Sequence, residues 1–216
     1  MSDRNTADLI VAPLARRSFR QYGWRAREAF PGIAIRVFLR EQSFCNLGVT
    51  MPFEDLTFCG KNQVRKVVKR FAATHLLSLV DPNDRMPTPH RILRENHLSV
   101  CFDDVESPEL SGAPTETDLE AIVAWVDRLP DSARLVIHCT AGVSRSAAVA
   151  FGLMCRGHDI ELARDRLLET QPNASPNALV TTLMDRMFNM GGALHDAALQ
   201  VRSLDKRRPL PEGKVI

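Results

Sequence analysis

The sequence contains no apolar run approaching the ~18 residues that a bilayer-spanning helix needs. It also lacks the layout of a secretory signal. The opening MSDRNTADLIVAPLARR has a short apolar stretch, and its basic residues follow that stretch instead of preceding it. Together these absences predict a soluble cytoplasmic protein with no membrane span. The five cysteines, at 45, 59, 101, 139 and 155, include no C-x-x-C pair. An odd number without a secretory signal predicts free thiols, not a disulfide framework. The six histidines are scattered and do not join the cysteines in a zinc pattern, so no metal and no organic cofactor is expected. There is no internal repeat and no low-complexity tract.

The 216 residues that are present suit one domain, or one domain with an extension. A hydrophobic content of 44% supplies an ordinary core, and 25% charged residues argue against disorder. The net charge of +2 conceals an asymmetry. Residues 1–50 carry eight arginines against Asp3, Asp8, Glu28 and Glu41, an excess of +4, so the remainder sums to −2. Such a basic N-terminal extension would suit an acidic partner or nucleic acid, although a merely solvated extension is the plainer reading. Residues 1–50 show no clear period, and the texture changes at Met51. A chain starting there is expected to be a complete folding unit.

From that point strands and helices alternate. Leu56 to Cys59 reads as a short strand closed by Gly60, and 62–72 as a helix with Val64, Val67, Val68 and Phe71 on one face. His75 to Val80 has buried-strand length and ends at Asp81-Pro82-Asn83; a further strand spans 98–102. The stretch DDVESPELSGAPT is polar and interrupted by proline. Thr115 or Thr117 caps the next helix, which Pro130 stops. Arg134 to Ile137 is a short buried strand, and AAVAFGLMC is apolar on nearly all sides, as a central buried helix would be. Helical stretches at 160–169 and 177–190 complete the pattern. The alternation predicts a single α/β domain with a central, mostly parallel sheet flanked by helices on both faces.

The strongest chemical signal lies between the last strand and the central helix, at His138-Cys139-Thr140-Ala141-Gly142-Val143-Ser144-Arg145-Ser146. The N–H groups of a tight strand-to-helix loop, added to those of the first helical turn, form a concave anion site. Arg145 can offer a planar two-donor fork to two oxygens of a tetrahedral oxyanion. The same donors and charge favour a thiolate at Cys139, which becomes a nucleophile aimed at a bound phosphate.

The spacing H-C-x5-R-S resembles the signature of the cysteine-based protein tyrosine phosphatase superfamily, with His138, Cys139, Gly142, Arg145 and Ser146 at its fixed positions. The resemblance implies that Cys139 forms a phosphocysteine intermediate. The backbone of Thr140, Ala141, Gly142, Val143, Ser144 and Arg145, with the Arg145 guanidinium, would hold the phosphate. His138 would tie down the loop and help keep the thiol ionised, and Ser146 would stabilise the thiolate and assist breakdown of the intermediate. Smaller members carry a general acid about three dozen residues before the cysteine. Asp103 and Asp104 stand 36 and 35 residues before Cys139, and F-D-D resembles the stretch whose second aspartate is that acid. Asp104 is therefore the expected acid, with Asp103 in reserve and Asp118 and Glu106 behind them. Pro172 to Asn177 resembles the turn that introduces a late helix in dual-specificity-like members, with Asn177 as a helix start. The acidic limb of a rate profile would report the thiol, and the basic limb the acid.

The resemblance covers roughly residues 51–195 and implies a dual-specificity-like phosphatase domain over 51–200, with 201–216 as a C-terminal tail. The implied substrate is a phosphorylated protein or small phosphoester, with phosphotyrosine first and phosphoserine or phosphothreonine dependent on pocket depth. Inositol phospholipids fit less well, because Thr140 and Val143 are not basic. Some family members protect the nucleophile in a reversible disulfide, for which Cys59 and Cys101 are candidates beside the plainer reading of buried free thiols. Two other readings remain: a rhodanese-type sulfurtransferase and a catalytically silent phosphate-reading domain.

Overall fold

The structure is a computed structural model that describes residues 55–205; the expectations for residues 1–50, the start at Met51 and the end of the tail lie outside the described residues. Four strands form one all-parallel sheet in the order β1-β4-β2-β3: β1 Asp55–Gly60, β2 His75–Val80, β3 His97–Cys101 and β4 Arg134–Cys139. Among the described residues six α-helices accompany them: α1 Val64–Phe71, α2 Glu116–Val126, α3 Arg145–Cys155, α4 Ile160–Thr170, α5 Ala178–Met187 and α6 Ala193–Asp205.

Alternation along each strand divides the core. Leu135 and Ile137 of β4, with Leu77 and Leu79 of β2 and Leu56 and Phe58 of β1, face the large layer built on α2, α3 and α5. Leu76, Val136 and Cys59 face the smaller layer with Val64 and Val68 of α1 and the loop residue Ile92. A mostly parallel sheet covered on both faces was the expectation, and the sheet is parallel throughout.

Parallel pairing has a direct consequence for function. Every strand ends at the same edge, so the segments after Gly60, Val80, Cys101 and Cys139 emerge side by side. Residues far apart in the chain meet there.

Helix starts follow local chemistry. Thr115 caps α2 in a reciprocal capping box with Asp118, whose carboxylate accepts from the Thr115 N–H at 2.9 Å. α3 is buried along its whole length, as its composition requires. The sequence reading fails at the C-terminal end. The helix expected over 177–190 stops at Met187, because Asn189, Gly191 and Gly192 take positive φ. Another helix, α6, then begins. The Asp185 carboxylate caps it by accepting from the N–H groups of Gly192 at 2.7 Å and Leu194 at 2.8 Å. Leu194, Ala197, Ala198 and Val201 bury its apolar face, so α6 continues past residue 200 as part of the core.

Candidate active site

β4 ends at Cys139, and the chain turns through residues 140–144 into α3. The turn is tight because Gly142, at φ +80°, lies against the end of β1. A Cβ there would come within 2.2 Å of the Gly60 nitrogen. A Cβ on Gly60 would in turn meet the Ala141 carbonyl oxygen at 2.8 Å. Two glycines thus let loop and strand touch backbone to backbone, and Lys61 N–H donates to the Thr140 carbonyl at 3.2 Å. From the other side the 172–177 segment straps the loop. Ser175 N–H donates to the Val143 carbonyl at 2.8 Å and Asn177 N–H to that of Ser144 at 3.4 Å.

Within this frame Cys139 is 1% exposed. Its sulfur lies 3.2 Å from the Gly142 N–H, which donates to it, and 3.2 Å from the Ser146 hydroxyl. Arg145 is 2% exposed and fixed from three directions. Its Nη1 donates to the Phe102 carbonyl at 2.7 Å and pairs with Asp81 Oδ1 at 2.8 Å, while Nη2 donates to Thr140 Oγ1 at 3.2 Å. Its Nε is buried and has no hydrogen-bond partner among the described residues. A guanidinium carries five N–H donors. Nη1 serves the Phe102 carbonyl and the ion pair with Asp81, and Nη2 gives one donor to Thr140. The Nε–H and the second Nη2–H remain along one edge, the two-donor fork that a tetrahedral oxyanion takes.

Asp104 belongs to this site. Its Oδ1 accepts from the Ser144 hydroxyl at 2.7 Å and from Asn177 Nδ2 at 2.9 Å, while no described residue bonds Oδ2. Asp103 turns instead toward the 110–113 turn, where its N–H donates to the Gly112 carbonyl at 2.7 Å and its carboxylate fills the space beside Gly112. Asp118 is engaged in the α2 cap. Glu106 accepts from Ala178 N–H at 3.1 Å and pairs with Arg202 at 2.8 Å. Of the four carboxylates considered, only Asp104 bonds the loop.

Two residues have more to do than the sequence suggested. Asn177 caps α5 by accepting from Val180 N–H at 3.0 Å, but its amide also donates to Asp104 and to the Val105 carbonyl, tying the aspartate segment to the helix start. Asp81 was read only as a strand terminator. Its carboxylate bridges Arg145 and, at 2.8 Å, the Thr140 hydroxyl. The signal for it was topological: it follows β2, the strand beside β4.

His138 is 1% exposed and accepts or donates at Nε2 with Ser78 Oγ at 2.6 Å, while Nδ1 faces the Cys139 carbonyl at 3.5 Å. Burial pushes it down from 6.5 to about 4, against the opposing pull of the bond to that carbonyl. The imidazole is neutral near pH 7. The contribution to the thiol that the resemblance implies for His138 would therefore run through loop geometry and not through an imidazolium charge.

The same shift fixes a stability trend. A base whose folded value is depressed must be charged on unfolding below 6.5, so its contribution is complete above that pH and fades toward 4. For His138 this amounts to about 3 kcal/mol by pH 4. Burial also lowers His75, His97 and His158, all in the same direction. Urea unfolding should show stability falling steadily from pH 6.5 to pH 4. A flat profile over that window would contradict the buried neutral histidine.

The remaining cysteines separate cleanly. Cys155 is in the core, and burial pushes its thiol up to about 12. Cys101 is exposed on β3, with β2 lying between it and β4, so it is not a neighbour of Cys139. Cys59 is paired in register with His138, and burial first, then the nearby Cys139 charge, raise it to about 12. All four described cysteines are free. Among the described residues no cluster of three His, Cys, Asp or Glu could hold a metal, and no helix is long and apolar enough to cross a membrane.

No protein-family model matches the chain. It is similar to a dual specificity protein phosphatase, MPK-4 of Drosophila melanogaster, at 27% identity over 119 residues. That match takes in 50% of this chain but only 28% of the relative's length. Among solved structures, Cydia Pomonella PTP-2 phosphatase aligns with a TM-score of 0.47 at 22% identity, covering 63% of this chain and 88% of that one. The Yvh1 phosphatase domain from Chaetomium thermophilum aligns with a TM-score of 0.46 at 21% identity, covering 64% and 93%. The chain resembles the dual-specificity branch of the cysteine-dependent tyrosine phosphatases.

Proposed function

We propose that residues 51–200, with the rest of α6, form a cysteine-dependent protein phosphatase that hydrolyses phosphotyrosine through a phosphocysteine intermediate. The observation that carries this reading is the buried Arg145 Nε, unpartnered among the described residues, at the end of a loop whose Cys139 sulfur accepts from the Gly142 N–H. A buried donor without a partner costs about 1–3 kcal/mol, so its retention points to an occupant that supplies the acceptor. A phosphoryl group does so.

The Nε–Nη2 edge of Arg145 and the amides of residues 140–145 hold three phosphoryl oxygens, and the sulfur of Cys139 attacks phosphorus in line. The P–S bond forms as the ester P–O bond breaks. Asp104 delivers its proton from Oδ2 to the departing oxygen, so no phenolate is expelled unprotonated. Water then attacks phosphorus, giving a proton to the same carboxylate as the P–S bond breaks, and the Ser146 hydroxyl, 3.2 Å from the sulfur, donates to the thiolate that is released. Inorganic phosphate leaves. The phosphate-reading and sulfurtransferase alternatives give Asp104 no task, although Ser144 and Asn177 both hold it in position.

Turnover of an aryl phosphate against thiosulfate sulfur transfer separates the reaction classes. With the aryl phosphate, Asp104→Ala should lower kcat by about 10²–10³-fold and leave phosphate affinity nearly unchanged. Asp103→Ala should remain close to the parent. The reverse pattern would exchange the two roles, and sulfur transfer without phosphate release would overturn the reading. A panel of phosphotyrosyl, phosphothreonyl and nucleotide substrates, with and without residues 1–50, then tests residue specificity and whether the basic segment recruits an acidic partner.

A further inference from the structure

A chain of hydrogen bonds, three short and the last one at 3.5 Å, crosses the sheet behind the nucleophile. Thr88 Oγ1 lies 2.7 Å from His97 Nδ1, and His97 Nε2 lies 2.7 Å from Ser78 Oγ. Ser78 Oγ in turn lies 2.6 Å from His138 Nε2, and His138 Nδ1 faces the Cys139 carbonyl. The placement follows from register. Ser78 of β2 is paired with His138 of β4, and His97 of β3 is paired with Leu76, two residues before Ser78 and on the same sheet face. Ser78 is fully buried, and every polar atom of the chain is engaged.

Proton counting gives the chain a direction. A carbonyl oxygen only accepts, so His138 Nδ1 carries the proton in the bond to Cys139. A neutral imidazole then has a bare Nε2, which must accept from the Ser78 hydroxyl. That hydroxyl owns one proton. Having given it to His138, it must accept from His97 Nε2–H, and the bare His97 Nδ1 accepts from the Thr88 hydroxyl. All four bonds point the same way, toward Cys139, and bonds so aligned polarise one another.

We propose that Thr88, His97 and Ser78 form a one-way relay that fixes the tautomer of His138 and, through the Cys139 carbonyl, the orientation of the first amide of the phosphate-binding loop. The inference rests on the phosphatase reading for its consequence in turnover, but not for its geometry. The Cys139 carbonyl and the Thr140 N–H belong to one trans peptide and point opposite ways. Holding the carbonyl toward His138 holds that N–H away from it, and a donor on the oxygen strengthens the N–H as a donor to an anion. Ser78 and His97 are positioning residues: neither touches the reacting atoms. The charged and titratable groups acting on His138 are His97, Lys61 and Asp84, and Lys61 is already paired with Asp84. Cys59, raised to about 12, remains a neutral thiol beside it. Burial also keeps His97 toward its neutral form, which the counting requires.

The test uses the full chain and follows the Cys139-containing peptide by mass spectrometry during iodoacetamide alkylation, since Cys101 is exposed and reacts separately. Ser78→Ala and His97→Leu each remove one link. Both should slow Cys139 alkylation at pH 6 by about fivefold to tenfold, in line with the loss of a residue that orients a ligand from behind. Both should lower kcat for an aryl phosphate in proportion, with KM changed less. His97→Gln keeps an N–H that reaches Ser78 and should restore the parent rate. In ¹⁵N spectra of labelled histidine the parent should show His138 as the Nδ1–H tautomer, and Ser78→Ala should show both tautomers. Alkylation of Ser78→Ala within twofold of the parent, or an Nε2–H tautomer in the parent, would overturn the relay. A parent that alkylates normally but releases no phosphate would sink the phosphatase reading instead, leaving tautomer and alkylation to decide the relay.

Discussion

Cys139→Ser should abolish turnover of an aryl phosphate, with a loss on the order of 10⁴-fold or more. The size of the effect follows from the surroundings of the sulfur. One amide and one hydroxyl, each at 3.2 Å, lie where they can stabilise a thiolate, the form in which a cysteine attacks. A serine hydroxyl in the same seat is far less acidic and would need an adjacent base to take its proton. None is available. The Nε2 of His138 faces Ser78 and its Nδ1 faces a carbonyl, so the imidazole has no free nitrogen to turn on residue 139. Asp104 is bonded on the far side of the loop, at Ser144. The substitution leaves the Arg145 fork and the loop amides in place, so binding of inorganic phosphate should be retained while hydrolysis is lost. Isothermal titration with phosphate and a single-turnover assay read the two separately. Hydrolysis within tenfold of the parent would remove Cys139 as nucleophile, whatever the fold.

How far the sequence revealed this arrangement depended on whether the governing interactions were local. The strand, turn and buried helix around Cys139 are written in consecutive residues. An apolar run, a short loop containing one glycine, and a helix without a charged face identify them unaided. The choice of Asp104 over Asp103 depended on resemblance, because two adjacent aspartates have the same composition and differ only in which way each side chain turns. The turn at Gly112, whose open face accommodates the Asp103 carboxylate, makes that distinction in three dimensions. Asp81 and Ser78 escaped notice for a different reason. Each gains its role from strand order, and β1-β4-β2-β3 cannot be read from periodicity along a single strand. The helix α6 was missed although its buried positions 194, 197, 198 and 201 have helical spacing. Gly191-Gly192 reads locally as an end, whereas here the pair bends the chain so that Asp185, from the preceding helix, caps the next. Long-range capping leaves no pattern in neighbouring residues.

Arg145→Lys should cost about 10³-fold in kcat/KM even though it preserves the charge. The guanidinium divides its donors between two tasks. Nη1 serves the structure, holding the Phe102 carbonyl at 2.7 Å and the Asp81 carboxylate at 2.8 Å, so that the segments after β2 and β3 are both tied to the start of α3. The edge made by Nε and Nη2 is the one the proposed phosphoryl ligand would take. An ammonium has three donors on one atom and cannot reach both sides. If it stays with Phe102 and Asp81, the phosphoryl oxygens lose their fork. If it swings to the ligand, a buried carbonyl is left unpaired at a cost of about 1–3 kcal/mol, and Asp81 is freed as an anion beside the incoming phosphate. Either course weakens the transition state more than the ground state, because charge on the equatorial oxygens is redistributed as the phosphoryl group transfers. The measurement is kcat/KM together with the melting temperature of Arg145→Lys and of Asp81→Asn. The lysine variant should lose far more activity than its stability change explains. Asp81→Asn, which keeps an acceptor for Nη1 but removes the competing charge, should bind phosphate at least as tightly as the parent. If Arg145→Lys retained a tenth of the parental kcat/KM, the division of labour along the two edges of the guanidinium would be wrong, and a point charge would be all that the loop requires.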